Sequence, residues 1–297
     1  MELAGHRLSR DLHPGIRDPV RQGAPLYPRS ASAGSIKAMA LDPADPLLQP
    51  YRDLRERRES LSVEGRPAFI CEGRYLAGMA LDESRSGRLG VHSLLCTPSM
   101  ASVLGPQLPE QVPLRILKDA EFETLAGFPF HRGVLLCAYR PPPPDEDGIL
   151  AADRLLVLPR LDDAENVGLL LRSAAALGMD GVVTGPGPDI FQRRTVRVSM
   201  GAAFRIPVLK LEDPMPLLLR WKARGGEIAA ACLDPEALDA RSWVPARRCA
   251  LLLGPEDRGL STEWLALASR RIRIPMARGI DSLNVAAAGA ILMHRMG

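Results

Sequence analysis

Cysteine is scarce in this 297-residue sequence and never clustered. The five cysteines, Cys71, Cys96, Cys137, Cys232 and Cys249, form no C-x-x-C pair. That spacing argues against a zinc site or a disulfide framework and for reduced thiols in a core. His92, His131 and His294 show no metal-ligand spacing, so no metal is expected. No apolar run reaches the roughly 18 residues of a membrane span. The first residues lack the hydrophobic core of a signal peptide, and the expectation is a cytoplasmic protein without membrane contact. Neither G-x-x-x-x-G-K-S/T nor G-x-S-x-G occurs, which removes the phosphate loop and the hydrolase nucleophile elbow. Gly185-Pro186-Gly187 lacks the third glycine and following helix of a dinucleotide fingerprint.

An apolar fraction of 46% with 25% charged residues is enough for a sizeable core. The net charge of +3 permits a nucleic-acid partner without demanding one. Residues 1–41 read as a disordered extension rich in Gly, Pro, Ser and Arg. Its Arg7, Arg10, Arg17, Arg21 and Arg29 suit either an RNA-binding arm or a dispensable tail. From 42 to 139 the pattern is that of a small α/β domain. Asp45-Pro46 opens a helix; strands fall at 68–71, 90–96, 113–117 and 133–137, and further helices at 74–81, 99–104 and 119–125. A stiff, extended, proline-rich linker spans 140–150. Residues 151–297 form a second α/β domain, with strands at 154–158, 181–184, 207–211, 228–232, 250–253 and 271–274. Its helices fall at 165–177, 215–223 and 262–268. The fully apolar strands are of the buried, parallel-sheet kind. The closing run from Ser282 to Met293 carries no charge, which predicts a helix buried on every face with Ser282 as N-cap.

Three stretches of this second domain carry polar residues where a pure core would not. Asn166 and Arg172 lie on one predicted helix, Asn166 near the N-terminus that favours anions. Gly254, Glu256 and Gly259 lie in a loop leaving a buried strand, and the 274–284 loop leaves another. Ligands of open α/β sheets bind outside the carboxyl ends of strands, and glycine lets backbone approach a ligand. Taken singly, each stretch also has an ordinary reading as a helix cap, a surface arginine or a turn.

The order Asn166…Arg172, then Gly254-Pro255-Glu256…Gly259, then Ile274-Pro275-Met276 and Ser282-Leu283-Asn284-Val285, resembles the three motifs of the SpoU (TrmH) family of RNA 2′-O-ribose methyltransferases, of the SPOUT class. Residues 197–208 resemble the segment between the first two motifs. Residues 69–73 and 131–134 resemble the ribosomal-protein-like domain that precedes the catalytic one in that family. Asp257 departs from the family, whose members often have a small residue there. The resemblance implies an α/β fold with a mostly parallel sheet and a deep trefoil knot, an exception to unknotted topology, behind a small RNA-binding α/β domain. It implies S-adenosyl-L-methionine as cofactor, held by Leu253, Gly254, Gly259, Ile274, Met276 and Leu283. It implies a catalytic set of Arg172, Asn166, Glu256, Ser282 and Asn284. The partners it implies are tRNA or rRNA and a second copy in a homodimer. The rival expectation is an RNA-binding module with an inactive knot.

Overall fold

The computed structural model describes residues 42, 44–54, 60–127, 132–277 and 281–297. The expected extension at 1–41, His131 and part of the 277–282 loop lie outside these residues. The first half opens with a 3₁₀ turn at Pro46–Tyr51, where Asp45 accepts from the Leu47 amide at 2.9 Å. There follow β1 (Ser62–Val63), β2 (Arg66–Glu72), α1 (Arg74–Arg85), β3 (Val91–Cys96), α2 (Pro98–Leu104), β4 (Leu114–Ile116), α3 (Asp119–Ala126) and β5 (Val134–Tyr139). They form a sheet in the order β1-β2-β5-β3-β4, with β5 antiparallel to β2 and β3, and β4 parallel to β3. Alternation decides the faces. Phe69 and Cys71 of β2 enter one apolar cluster, while Ala68 and Ile70 enter another with Tyr51 and Phe122.

The second half contains α4 (Glu146–Ala151), β6 (Arg154–Leu158), α5 (Ala164–Ala176), β7 (Gly181–Thr184), α6 (Arg193–Val198), β8 (Val208–Lys210), α7 (Met215–Ala223), β9 (Glu227–Ala231), β10 (Leu238–Asp239), β11 (Cys249–Leu252), α8 (Thr262–Leu267), β12 (Arg270–Arg273) and α9 (Val285–Met296). Seven strands pair in parallel throughout, in the order β10-β12-β9-β11-β6-β7-β8. Leu156 and Leu251 pack on one face with α5 and α9, while Leu155, Val157 and Leu252 pack on the other with α4, α7 and α8. Cys71, Cys96, Cys137 and Cys249 are buried free thiols, and Cys232 is half-buried. Among the described residues no helix is long and apolar enough to cross a membrane.

Two expectations need correction. Residues 140–150 are not extended throughout: α4 occupies 146–151. Asp145 caps it by accepting from the Gly148 amide at 2.7 Å, and Glu146 and Asp147 complement the first turn. Helix α9 is not buried all round. Val285, Ala286, Gly289, Leu292, Met293 and Met296 face the core, whereas Ala287, Ile291 and His294 are exposed. Hydropathy could not separate the faces, because small apolar residues occupy both. At Gly289 α9 comes close to its neighbours. A Cβ there would stand 2.4 Å from Leu170 Cδ2 and 2.8 Å from Leu253 Cδ1.

The two sheets meet through α6 and the turn after it. Phe69 of β2 packs on Phe191 and Phe204, with ring centroids 5.1 and 5.5 Å away. Buried Glu72 accepts from Arg193 and lies 3.6 Å from Arg197. Arg140 donates twice to Asp189, at 3.1 and 2.6 Å, and Arg205 to buried Glu83 at 2.9 Å. The buried carboxylates Glu72 and Glu83 need such partners, because an unpaired charge there would carry the full desolvation penalty.

Candidate active site

Sheet order brings the three polar stretches together. Strands β6 and β11 are neighbours, so α5, which follows β6, starts beside the loop that leaves β11. Helix α5 begins cleanly because Asp163 accepts from the amides of Glu165 and Asn166. Val167, Leu170, Leu171 and Ala174 take its buried stripe to the sheet. That register places Asn166, itself buried, at the carboxyl edge.

Asn284 is the centre of the site. Its Nδ2 donates to Asn166 Oδ1 at 2.9 Å and to Glu256 Oε1 at 2.6 Å. Its Oδ1 accepts from the Ala286 and Ala287 amides at 2.9 and 3.3 Å. Both halves of the carboxamide are therefore used, and their partners fix which atom is oxygen and which nitrogen. Glu256 Oε1 also accepts from the Val285 amide at 3.0 Å. One side chain thus ties together α5, the loop after β11 and the start of α9. The cap of α9 is Asn284, not Ser282 as the sequence suggested. Both residue types cap well, and the bonds to Asn166 and Glu256 favour the asparagine.

The other expected residues divide. Ser282 is exposed, two positions before the cap. Ile274, Met276 and Leu283 are half-buried along the same loop. The Leu253 side chain is buried with its Cδ1 towards α9, which leaves mainly its backbone for a ligand. Gly254 and Gly259 answer to each other: a Cβ on Gly254 would lie 2.4 Å from the carbonyl carbon of Gly259. Gly259 itself has φ +64° and donates to Pro255 O at 2.8 Å. The loop's own closure therefore explains both glycines. Asp257 is exposed and pairs with Arg258 at 2.8 Å, so its departure from the small residue of the motif places no bulk inside the loop.

Arg172 stands apart from the trio. Six residues beyond Asn166, it lies roughly 9 Å along the axis and about 120° round it. It is exposed and forms no ion pair among the described residues. A cavity of about 570 Å³ lies elsewhere, lined in part by Phe69, Arg140, Phe191 and the arginines of α6. Among the described residues no group of three or more His, Cys, Asp or Glu is placed to hold a metal.

Sequence reasoning missed α6 as an element and with it Arg193 and Arg194. The signal available was the Arg193-Arg194-x-x-Arg197 spacing, which puts the first and last arginine on neighbouring positions of one helix face.

Known proteins share both the sequence and the fold. An uncharacterized tRNA/rRNA methyltransferase of Mycobacterium bovis is 36% identical over 85% of this chain and 89% of its own length. A 23S rRNA (guanosine-2′-O-)-methyltransferase of Acinetobacter baylyi is 30% identical over 58% of this chain and 73% of its own. The crystal structure of an AdoMet-bound rRNA methyltransferase from Sinorhizobium meliloti superposes with a TM-score of 0.70 at 25% identity, covering 86% of this chain and 96% of that one. Residues 153–294, the stretch that carries Asn166, Glu256 and Asn284, match the model of the SpoU rRNA methylase family. With a relative this similar over nearly its whole length, the chain belongs to the SpoU rRNA methylase family.

Proposed function

We propose that this chain transfers a methyl group from S-adenosylmethionine to a ribose 2′-hydroxyl of tRNA or rRNA. The observation that carries this reading is the junction at Asn284, which joins the three motifs in one hydrogen-bonded trio. The residues fit the cofactor. Ile274, Met276 and Leu283 offer half-buried apolar surface that an adenine would cover, beside loop backbone at 254. When bound, the cofactor supplies the electrophilic methyl group. The protein must then orient the hydroxyl and assist the loss of its proton. Glu256 uses Oε1 for Asn284 and Val285, which leaves Oε2 to receive or orient that hydroxyl. Asn284, itself held by Asn166, keeps the carboxylate in place, and exposed Ser282 is assigned to the ribose. A guanidinium is a poor general base because it stays protonated. Arg172 serves instead as a clamp on an adjacent phosphate and a stabiliser of developing alkoxide charge.

On the same reading, 42–139 is a substrate-binding domain, 140–150 connects it to the catalytic domain at 151–297, and the closing segment completes a deep trefoil knot. The active form is a homodimer. The position of Arg172, away from the trio of its own chain, supports this, as does the exposed apolar face nearby. That face comprises Ala175 and Ala176 of α5 with Ala287 and Ile291 of α9, Ile291 being 44% exposed. Ile291→Glu is expected to shift the sedimenting mass from two chains to one and to lower transfer at least tenfold. A dimer that survives Ile291→Glu would move the contact elsewhere.

The assay of function uses labelled S-adenosylmethionine with transcribed rRNA and tRNA pools. Label in RNA within a dinucleotide that resists alkaline cleavage is the expected result. Label on a base, or RNA binding without transfer, would overturn it, the latter in favour of a module with an inactive knot.

A further inference from the structure

The end of the first sheet nearest α6 gathers positive charge around one exposed ring. Strands β2 and β3 finish at this end and β5 begins there. The Gly73 amide donates to Val134 O at 2.8 Å, and the Thr97 amide to Gly133 O at 2.9 Å. Gly73 turns the chain at φ +85°, and Arg132 lies against it, with its Cδ 3.4 Å from where a Cβ would be. Arg74 and Arg132 are both exposed here. Among them Tyr75, in the first turn of α1, is 62% exposed. It forms no hydrogen bond or ring contact among the described residues.

This end continues into the candidate site. Glu72, directly before Gly73, holds Arg193 and Arg197 of α6. The next arginine, Arg194, reaches Glu165 in the first turn of α5, and Glu165 adjoins Asn166. Arg194 keeps 57% and Arg197 41% of its side chain exposed. Glu72 and Glu165 are paired with these arginines, and exposed Asp163 also acts on Arg194. The basic surface of this end is therefore carried by Arg74 and Arg132 and continued by the exposed parts of Arg194 and Arg197. A phosphodiester strand matches such a ridge in charge. An unpaired base matches the isolated ring, since every base has a face to stack.

We propose that Tyr75, with Arg74 and Arg132, stacks on and grips an unpaired segment of the substrate RNA, and that Arg194 and Arg197 carry its backbone across α6 towards the trio. This rests on the RNA methyltransferase reading and adds to it the form of RNA and the route it takes.

The test measures anisotropy with a fluorescent 20-nucleotide unstructured RNA and, separately, a fully paired RNA duplex, on the full chain. Tyr75→Ala is expected to weaken the single strand about tenfold, to leave the duplex unchanged, and to be rescued by Tyr75→Phe. Arg194→Ala should flatten the salt dependence of single-strand binding by about one phosphate contact. Unchanged thermal melting of Tyr75→Ala shows that the fold is kept, as its exposure requires. Wild-type affinity in Tyr75→Ala, or equal loss on strand and duplex, would overturn the proposal. Methyl transfer by the wild type is scored in parallel. Its absence would count against the methyltransferase reading alone, because the binding comparison decides the surface either way.

Discussion

Arg172→Ala is expected to lower methyl transfer by about 10²–10³-fold, while cofactor affinity measured by calorimetry stays within a few-fold. The asymmetry follows from position. The exposed guanidinium is not part of the apolar surface of Ile274, Met276 and Leu283 that is assigned to the cofactor, so its removal leaves that surface intact. On the clamp reading, what is lost is a charge for the RNA backbone and for the alkoxide that develops as the hydroxyl reacts. Arg172→Lys should recover only part of the rate, since an ammonium keeps the charge but not the two-pronged grip on phosphate. Equal loss of transfer and of cofactor binding in Arg172→Ala would defeat the clamp and make the arginine part of the cofactor site.

Gly185→Ala is expected to destabilise the protein by about 3 kcal/mol or more, read as a lowered urea midpoint. Gly185 directly follows β7 and continues its ladder by donating to Leu158 O at 2.8 Å. A Cβ there would lie 1.8 Å from the carbonyl oxygen of Pro159 and 2.8 Å from its carbon. Those atoms are backbone and cannot rotate aside. The chain displaced would be 159–163, which leads into Asp163 and the capped start of α5. The trio should therefore loosen along with the fold. Gly78→Ala is the matching control: a Cβ there meets nothing within 4 Å inside α1. It should gain about 0.5–1 kcal/mol, because glycine in a helix interior forfeits backbone entropy. If Gly185→Ala melts like the wild type, the loops after β6 and β7 are less tightly joined than described.

The same glycine shows where sequence reading stopped. In the sequence Gly185-Pro186-Gly187 is only a stretch that fails the dinucleotide fingerprint. Its glycines are explained by the loop after β6, since a Cβ on Gly187 would likewise stand 2.3 Å from Leu161 O. Such crossings join residues far apart in sequence and leave no local pattern. Strands such as β7 and β11 were legible because each is apolar on both faces, and α5 because Val167, Leu170, Leu171 and Ala174 repeat at helical spacing. Two-residue β10 has no pattern to read. Helix α6 has only Thr195 and Val196 buried, too few for a 3.6 period to emerge. The motif residues were legible singly, but their junction was not. Asn284 meets Asn166 across 118 positions, and the nearer Ser282 looked the better cap.

That junction also sets an order of events during synthesis. Ribosomes make the chain from its first residue onward, and early segments fold first. The first sheet, α6 and α5 all precede Asn284 by many residues. A growing chain therefore contains Asn166 and Glu256 before it contains the groups that join them. Until residues 284–296 join the fold, Glu256 lacks both donors that reach its Oε1, the Asn284 side chain and the Val285 amide. Joining of Asn166, Glu256 and Asn284 is therefore a late event, set by the capping of α9.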